Sequence, residues 1–65
     1  MPDLKQLREA AGLSQGQLAK ICGKVRQTIV EIEAGRNRPS VKLAKQFGVI
    51  FGIDWTDFFA DIKPF

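Results

Sequence analysis

Residues 12–38, GLSQGQLAKICGKVRQTIVEIEAGRNR, decide how this chain is read. Two short apolar-periodic stretches flank Gly23, which predicts two helices joined by a tight turn. Ser14 with Gln17 three residues on is a capping-box pattern that opens the first of them. Leu18, Ala19 and Cys22 fall on its inner side, and Gly23 ends it. In the second helix Val25, Ile29 and Ile32 recur at i, i+4 and i+7, a stripe expected to be buried. Arg26, Gln27, Val30 and Glu31 lie on the opposite side. Adjacent Arg and Gln on an exposed helix face carry the chemistry of base-edge reading. Each makes paired hydrogen bonds in a fixed plane, to guanine and adenine respectively.

The flanking segments extend the helical pattern. Asp3 can cap a first helix whose core side is Leu4, Leu7 and Ala11, with Gly12 at the left-handed C′ position and Leu13 as the apolar contact after it. The two-faced helix runs from about Val25 to Ala34 and stops at Gly35. Arg36-Asn37-Arg38 forms a basic loop, because the residue before Pro39 is steered out of helix. Ser40 caps a fourth helix reaching Phe51, with Val41, Ala44, Phe47, Gly48 and Phe51 as its expected buried stripe. Gly52 ends it, Ile53 follows as the apolar contact, and Asp54 caps a short fifth helix through Phe59. The expectation is an all-α, compact five-helix fold. One domain spans 1–65, with the paired helices at about 14–34 and a C-terminal helix and tail at 54–65.

Composition narrows the function. At 65 residues with 45% hydrophobic side chains, including five Phe and one Trp, a single core without staples is feasible. One cysteine excludes an internal disulfide, and the absence of histidine argues against a metal or cofactor site. No paired carboxylates or phosphate-cradling glycine loop stand out either, so an enzyme is not expected. The opening MPDLKQLREA has no apolar run, so neither a signal peptide nor a membrane span is expected. With the lone thiol, this predicts a cytoplasmic protein. Residues 20–45 carry seven Lys and Arg against Glu31 and Glu33, whereas residues 46–65 carry Lys63 against Asp54, Asp57 and Asp61. Positive charge centred on the two-faced helix is the footprint of a polyanion binder.

The segments LKQLREAAGLSQGQLAKICG, RQTIVEIEAGRNRPS and FGIDWTDFF resemble, without a gap from Leu4 to Phe59, the lambda-repressor/Cro-like helix-turn-helix domains, the XRE family. The resemblance implies that the third helix lies in the DNA major groove while the second crosses the backbone. Base reading then falls to Arg26, Gln27, Val30 and Glu31. Phosphate contacts fall to Gln15, Gln17, Lys24, Thr28, Arg36, Asn37 and Arg38, and Arg8 and Glu33 match a structural salt bridge between the first and third helices. The expected partner is a palindromic double-stranded operator bound by a homodimeric, nucleoid-associated repressor. Its interface would be Ile50, Trp55, Phe58, Ile62 and Phe65. A protein–protein module or antitoxin-like partner that keeps the fold but reads no DNA is the alternative.

Departures from the family pattern carry their own expectations. Lys24-Val25 replaces the usual Val-Ser, so the third helix lacks its Ser N-cap, a deficit of about 1 kcal/mol. Ile21 stands where relatives carry a charged residue and is expected to add to the core rather than form an exposed apolar spot. Cys22 reads as a small buried hydrophobe. Glu31 either accepts a hydrogen bond from cytosine N4 or orients its neighbours. Gly16, inside the second helix, is either tolerated or lets a phosphate approach the backbone.

Overall fold

A computed structural model of the chain describes residues 1–61. Helices α1 (Leu4–Ala10), α2 (Gln15–Cys22), α3 (Arg26–Glu33) and α4 (Val41–Phe51) are followed by a 3-10 helix, Trp55–Phe59. There is no strand among the described residues. The expected short fifth helix is present as a 3-10 helix. Asp54 caps it as expected, its Oδ1 accepting from the Thr56 amide. The expected C-terminal tail residues Ile62 and Phe65 lie outside the described residues.

Local caps fix the helix boundaries. Asp3, Ser14 and Ser40 each accept a hydrogen bond from the amide three residues on, at 3.1, 3.0 and 3.1 Å. Ser14 and Gln17 close a full capping box, with the Ser14 amide donating to Gln17 Oε1 at 2.7 Å. Between α2 and α3 the chain reverses at Gly23, whose φ of +69° is the left-handed region that a side chain disfavours. Its amide and that of Lys24 return to the Lys20 and Ala19 carbonyls, which closes the turn.

The buried core is Leu4, Leu18, Ala19, Cys22, Ile29, Ile32, Leu43, Ala44, Phe47 and Phe58. Helix α2 packs on α3, α1 on α3, and α4 on the 3-10 helix. That last contact is close. A Cβ added at Gly48 would lie 3.0 Å from the Ile53 carbonyl oxygen and 3.2 Å from Trp55 Cβ, so any larger residue would push the returning chain back by a few tenths of an ångström. Phe47 then meets Phe58 with ring centroids 5.5 Å apart and tilted.

Five expectations about burial are corrected. Ala11, expected on the core side of the first helix, is exposed, because α1 ends at Ala10 and Ala11 is its C-cap. Val25 is 69% exposed. It is the extended N-cap residue before α3, so the helical spacing that aligned it with Ile29 does not apply. Ile21 is exposed, because Leu18, Ala19 and Cys22 already fill the inner face of α2. Val41, the first residue of α4, is half exposed, and Leu43 takes the buried place with Ala44 and Phe47. Phe58, expected at a dimer interface, has no exposure and seals the core against Phe47.

Helix α3 has no side-chain cap bond at Val25, whose backbone is already in the extended N-cap conformation. Val25→Ser therefore restores a missing bond at little cost in packing. It should add about 1 kcal/mol of stability, raising the melting temperature by about 4–8 °C. A thermal melt of the variant beside the parent checks this, and an unchanged midpoint would refute it.

Candidate nucleic-acid interface

The candidate surface is built on a buried ion pair. Arg8 Nε donates to Glu33 Oε2 at 2.6 Å and Nη2 to Glu33 Oε1 at 3.2 Å, a bidentate fork joining α1 to α3. Their side chains are 10% and 6% exposed. Arg8 Nη1 also donates to the Leu13 carbonyl at 2.8 Å, which ties in the turn before α2. Burial pushes the Glu33 carboxyl up. The Arg8 and Gln15 hydrogen bonds, with attraction to Arg8 and Lys5, outweigh that and hold it below the usual carboxylate range.

From this pair a chain of bonds runs to the surface. Gln15, first in α2, donates from Nε2 to Glu33 Oε1 at 3.1 Å, and its Oε1 accepts from Arg26 Nη2 at 3.0 Å. The amide orientation is settled by its neighbours, since a carboxylate only accepts and a guanidinium only donates. Arg26 therefore stands at the start of α3, braced by a neutral partner, with its charge in no ion pair among the described residues.

A second set surrounds Glu31. Gln27 Nε2 donates to Glu31 Oε1, and Arg36 Nε donates to Glu31 Oε2. The Arg36 hydrogen bond, helped by Gln27, lowers the Glu31 carboxyl. Beside it an open cleft of about 450 Å³ brings Lys24, Gln27, Thr28 and Asn37 together with Ser40, the α4 N-cap. Arg26 and Gln27 are exposed, while Val30 and Glu31 are half-buried beneath them.

The remaining expected phosphate residues divide. Gln17 is exposed, with its Oε1 held in the capping box. Arg36 keeps a 61% exposed side chain. Arg38 departs from expectation. Its guanidinium forks onto Asp61 at 2.8 and 3.0 Å and donates to the Phe58 carbonyl, so it clamps the basic loop to the 3-10 helix while staying partly exposed. It also lies 6.0 Å over the Phe59 ring. A Cβ at Gly16 would meet nothing nearer than Ser14 Oγ at 4.0 Å, so no contact inside the chain requires glycine there.

The Arg8–Glu33 pair and a neighbour-orienting role for Glu31 were among the sequence expectations; the individual Gln27–Glu31, Arg36–Glu31 and Arg38–Asp61 bonds were not. Gln27 and Glu31, four apart on one helix, form a pair that helical spacing allows. The Arg38–Asp61 pair spans 23 residues and left no local signal.

The helix-turn-helix family pattern matches residues 4–58. The chain belongs to the XRE-type helix-turn-helix family. It is 45% identical over 56 residues to an uncharacterized HTH-type transcriptional regulator of Methanocaldococcus jannaschii, covering 86% of this chain and 85% of that one. It is 39% identical over 59 residues to the uncharacterized HTH-type transcriptional regulator YqaF of Bacillus subtilis, covering 91% and 78%. A further HTH-type regulator, from Archaeoglobus fulgidus, is 38% identical over 56 residues, covering 86% and 79%. Among the described residues no helix is long and apolar enough to cross a membrane, and no cluster of metal-ligating side chains occurs.

Removing one partner of the Arg8–Glu33 pair strands a buried charge. Arg8→Ala or Glu33→Ala should cost roughly 3–5 kcal/mol, measured by denaturant unfolding. Because the Glu33 carboxyl titrates lower in the fold than in the unfolded chain, its contribution is complete above the unfolded value of about 4.3. It is lost as pH falls through the folded value. The difference in stability between the parent and Glu33→Gln should therefore be constant near neutral pH and shrink below about pH 4. A difference that stays constant to pH 2 would show that Glu33 carries no pH-linked stability.

Proposed function

We propose that this protein is a sequence-specific binder of double-stranded DNA that represses transcription as a homodimer on a palindromic operator. Family membership and the HTH-type regulators it resembles support DNA-binding transcription regulation. The observation that carries the finer reading is the exposed Arg26–Gln27 pair at the start of α3, with Lys24 beside it.

In this reading α3 enters the major groove, the docking that the family's general geometry prescribes. Arg26 and Gln27 contact base edges, and Val30 packs against a thymine methyl or a sugar. Gln15, Gln17, Lys24, Thr28, Arg36 and Asn37 meet the phosphates of the two flanking strands, which gives affinity and register without sequence preference. Arg38 already has its guanidinium on Asp61 and the Phe58 carbonyl and is left out of that set.

A homodimer is required because one eight-residue reading helix spans only a few base pairs. Two-fold symmetry places two such helices in successive major grooves about 34 Å apart. Of the interface expected from sequence, Ile50 and Trp55 are half-buried and available, beside the 86% exposed Val49. We assign the interface to this C-terminal end of α4 and the 3-10 helix. Sedimentation of the parent should show a dimer, and Val49→Asp should shift it toward monomer. A monomeric parent that binds a half-site as tightly as the palindrome would remove the dimer from the proposal.

The test of base reading is selection of bound sites from random duplexes. Arg26→Ala and Gln27→Ala should each lose about 1–3 kcal/mol on the selected site and relax preference at one base pair. Lys24→Ala should weaken all sequences alike and lower the salt slope by about one unit. If both α3 variants keep the parent's affinity and selectivity, these residues are not the readers.

A further inference from the structure

We propose that Glu31 is a positioning residue for base readout. It holds the Gln27 amide in one orientation for adenine and couples it to the loop cation Arg36, and it accepts no hydrogen bond from a base itself. The proposal rests on the reading of α3 as the groove-facing helix.

The argument begins with what a carboxylate permits. Glu31 only accepts, so it binds Gln27 through Nε2, and a flipped amide would set oxygen against oxygen. One Nε2–H and the Oε1 of Gln27 then remain as a coplanar donor–acceptor pair facing out. That pair matches the N7 acceptor and N6–H donor of adenine. Guanine presents two acceptors on the same edge and would oppose the Gln27 oxygen.

The second Glu31 oxygen is taken by Arg36 Nε, and backbone geometry places that arginine. The Arg36 and Asn37 amides both return to the Glu31 carbonyl, at 3.0 and 3.3 Å, so the turn after α3 closes over Glu31. With Nε engaged, the two terminal nitrogens of Arg36 make no hydrogen bond among the described residues and lie on a 61% exposed side chain, where a phosphate would sit. The Glu31 side chain is only 23% exposed, covered by its two partners and with little surface left for a base. Arg36 also offsets a negative charge that would otherwise face a polyanion. Phosphate, Arg36, Glu31, Gln27 and base therefore stand in series, so the backbone grip and the base reading are one unit.

The experiment compares parent, Glu31→Ala, Gln27→Ala and Arg36→Ala on the selected site and on its single-base-pair variants, with random DNA as reference and thermal melts as a fold control. The Gln27 base pair is the one whose preference disappears in Gln27→Ala. Glu31→Ala should reduce the adenine preference at that pair about tenfold, the low end of what a paired base contact is worth. Its affinity for random DNA should rise, because a negative charge is gone. The melting temperature should stay near the parent's, and Arg36→Ala should erode the same adenine preference while weakening random binding. Two results would overturn the proposal. One is an unchanged adenine preference in Glu31→Ala. The other is loss of a cytosine preference at a different base pair, which would make Glu31 a direct reader. A parent that selects no site would instead overturn the reading of α3, and this proposal with it.

Discussion

The buried Arg8–Glu33 pair is the constraint on which the rest of the structure depends. An eight-residue helix with two fully buried side chains, Ile29 and Ile32, has little apolar area to fix its rotation against the core. Glu33 supplies what packing does not. Its carboxylate receives Arg8 from α1 and Gln15 from α2, so three helices meet on two oxygen atoms. Apolar contacts tolerate small rotations, whereas a buried charge loses several kcal/mol when its partner moves away. The direction in which α3 presents its outer face is therefore set by hydrogen-bond geometry more than by hydrophobic area.

That constraint reaches the surface through side chains. Gln15 transmits the position of Glu33 to Arg26, and Glu31 fixes Gln27 and Arg36. Long side chains lose about 1.5–2 kcal/mol of rotamer freedom when immobilised. Ordering them before a ligand arrives lowers the cost of binding. The two arginines of the loop show how partner choice sorts otherwise similar residues. Among the described residues Arg36 is held by one nitrogen only, while Arg38 has its fork on Asp61 and also donates to the Phe58 carbonyl. Sequence spacing alone treats them alike.

What could be read in advance follows the range of the interactions concerned. Asp3, Ser14, Ser40 and Asp54 were legible as caps because each bond spans two or three residues. The exposure of Arg26 and Gln27 was legible because they lie away from the buried Ile29 and Ile32 on one helix. Val25 and Val41 were misplaced for a single reason: both sit at a helix entrance, where periodicity extrapolates past the first turn. Ile21 was misplaced because a face wide enough for four apolar residues was already filled by three. Phe58 could be assigned to the core only after Gly48 had let the 3-10 helix close onto α4, a contact no local signal announces.

The charge asymmetry in the sequence takes a different form once folded. Part of the positive loop is neutralised from the acidic half by Arg38 and Asp61, and part from α3 by Arg36 and Glu31. Lys45 lies 5.1 Å from the Trp55 ring centroid, away from the candidate surface. Among the described residues, Lys24 and Arg26 near the α3 N-terminus stand in no ion pair. The helix dipole adds partial positive charge at that same end. Attraction for a polyanion is thus concentrated where Gln27 stands, although the chain's net charge is only +3. A field focused on one helix end steers a phosphate backbone into register there, whereas the same charge spread evenly would bind DNA in any orientation.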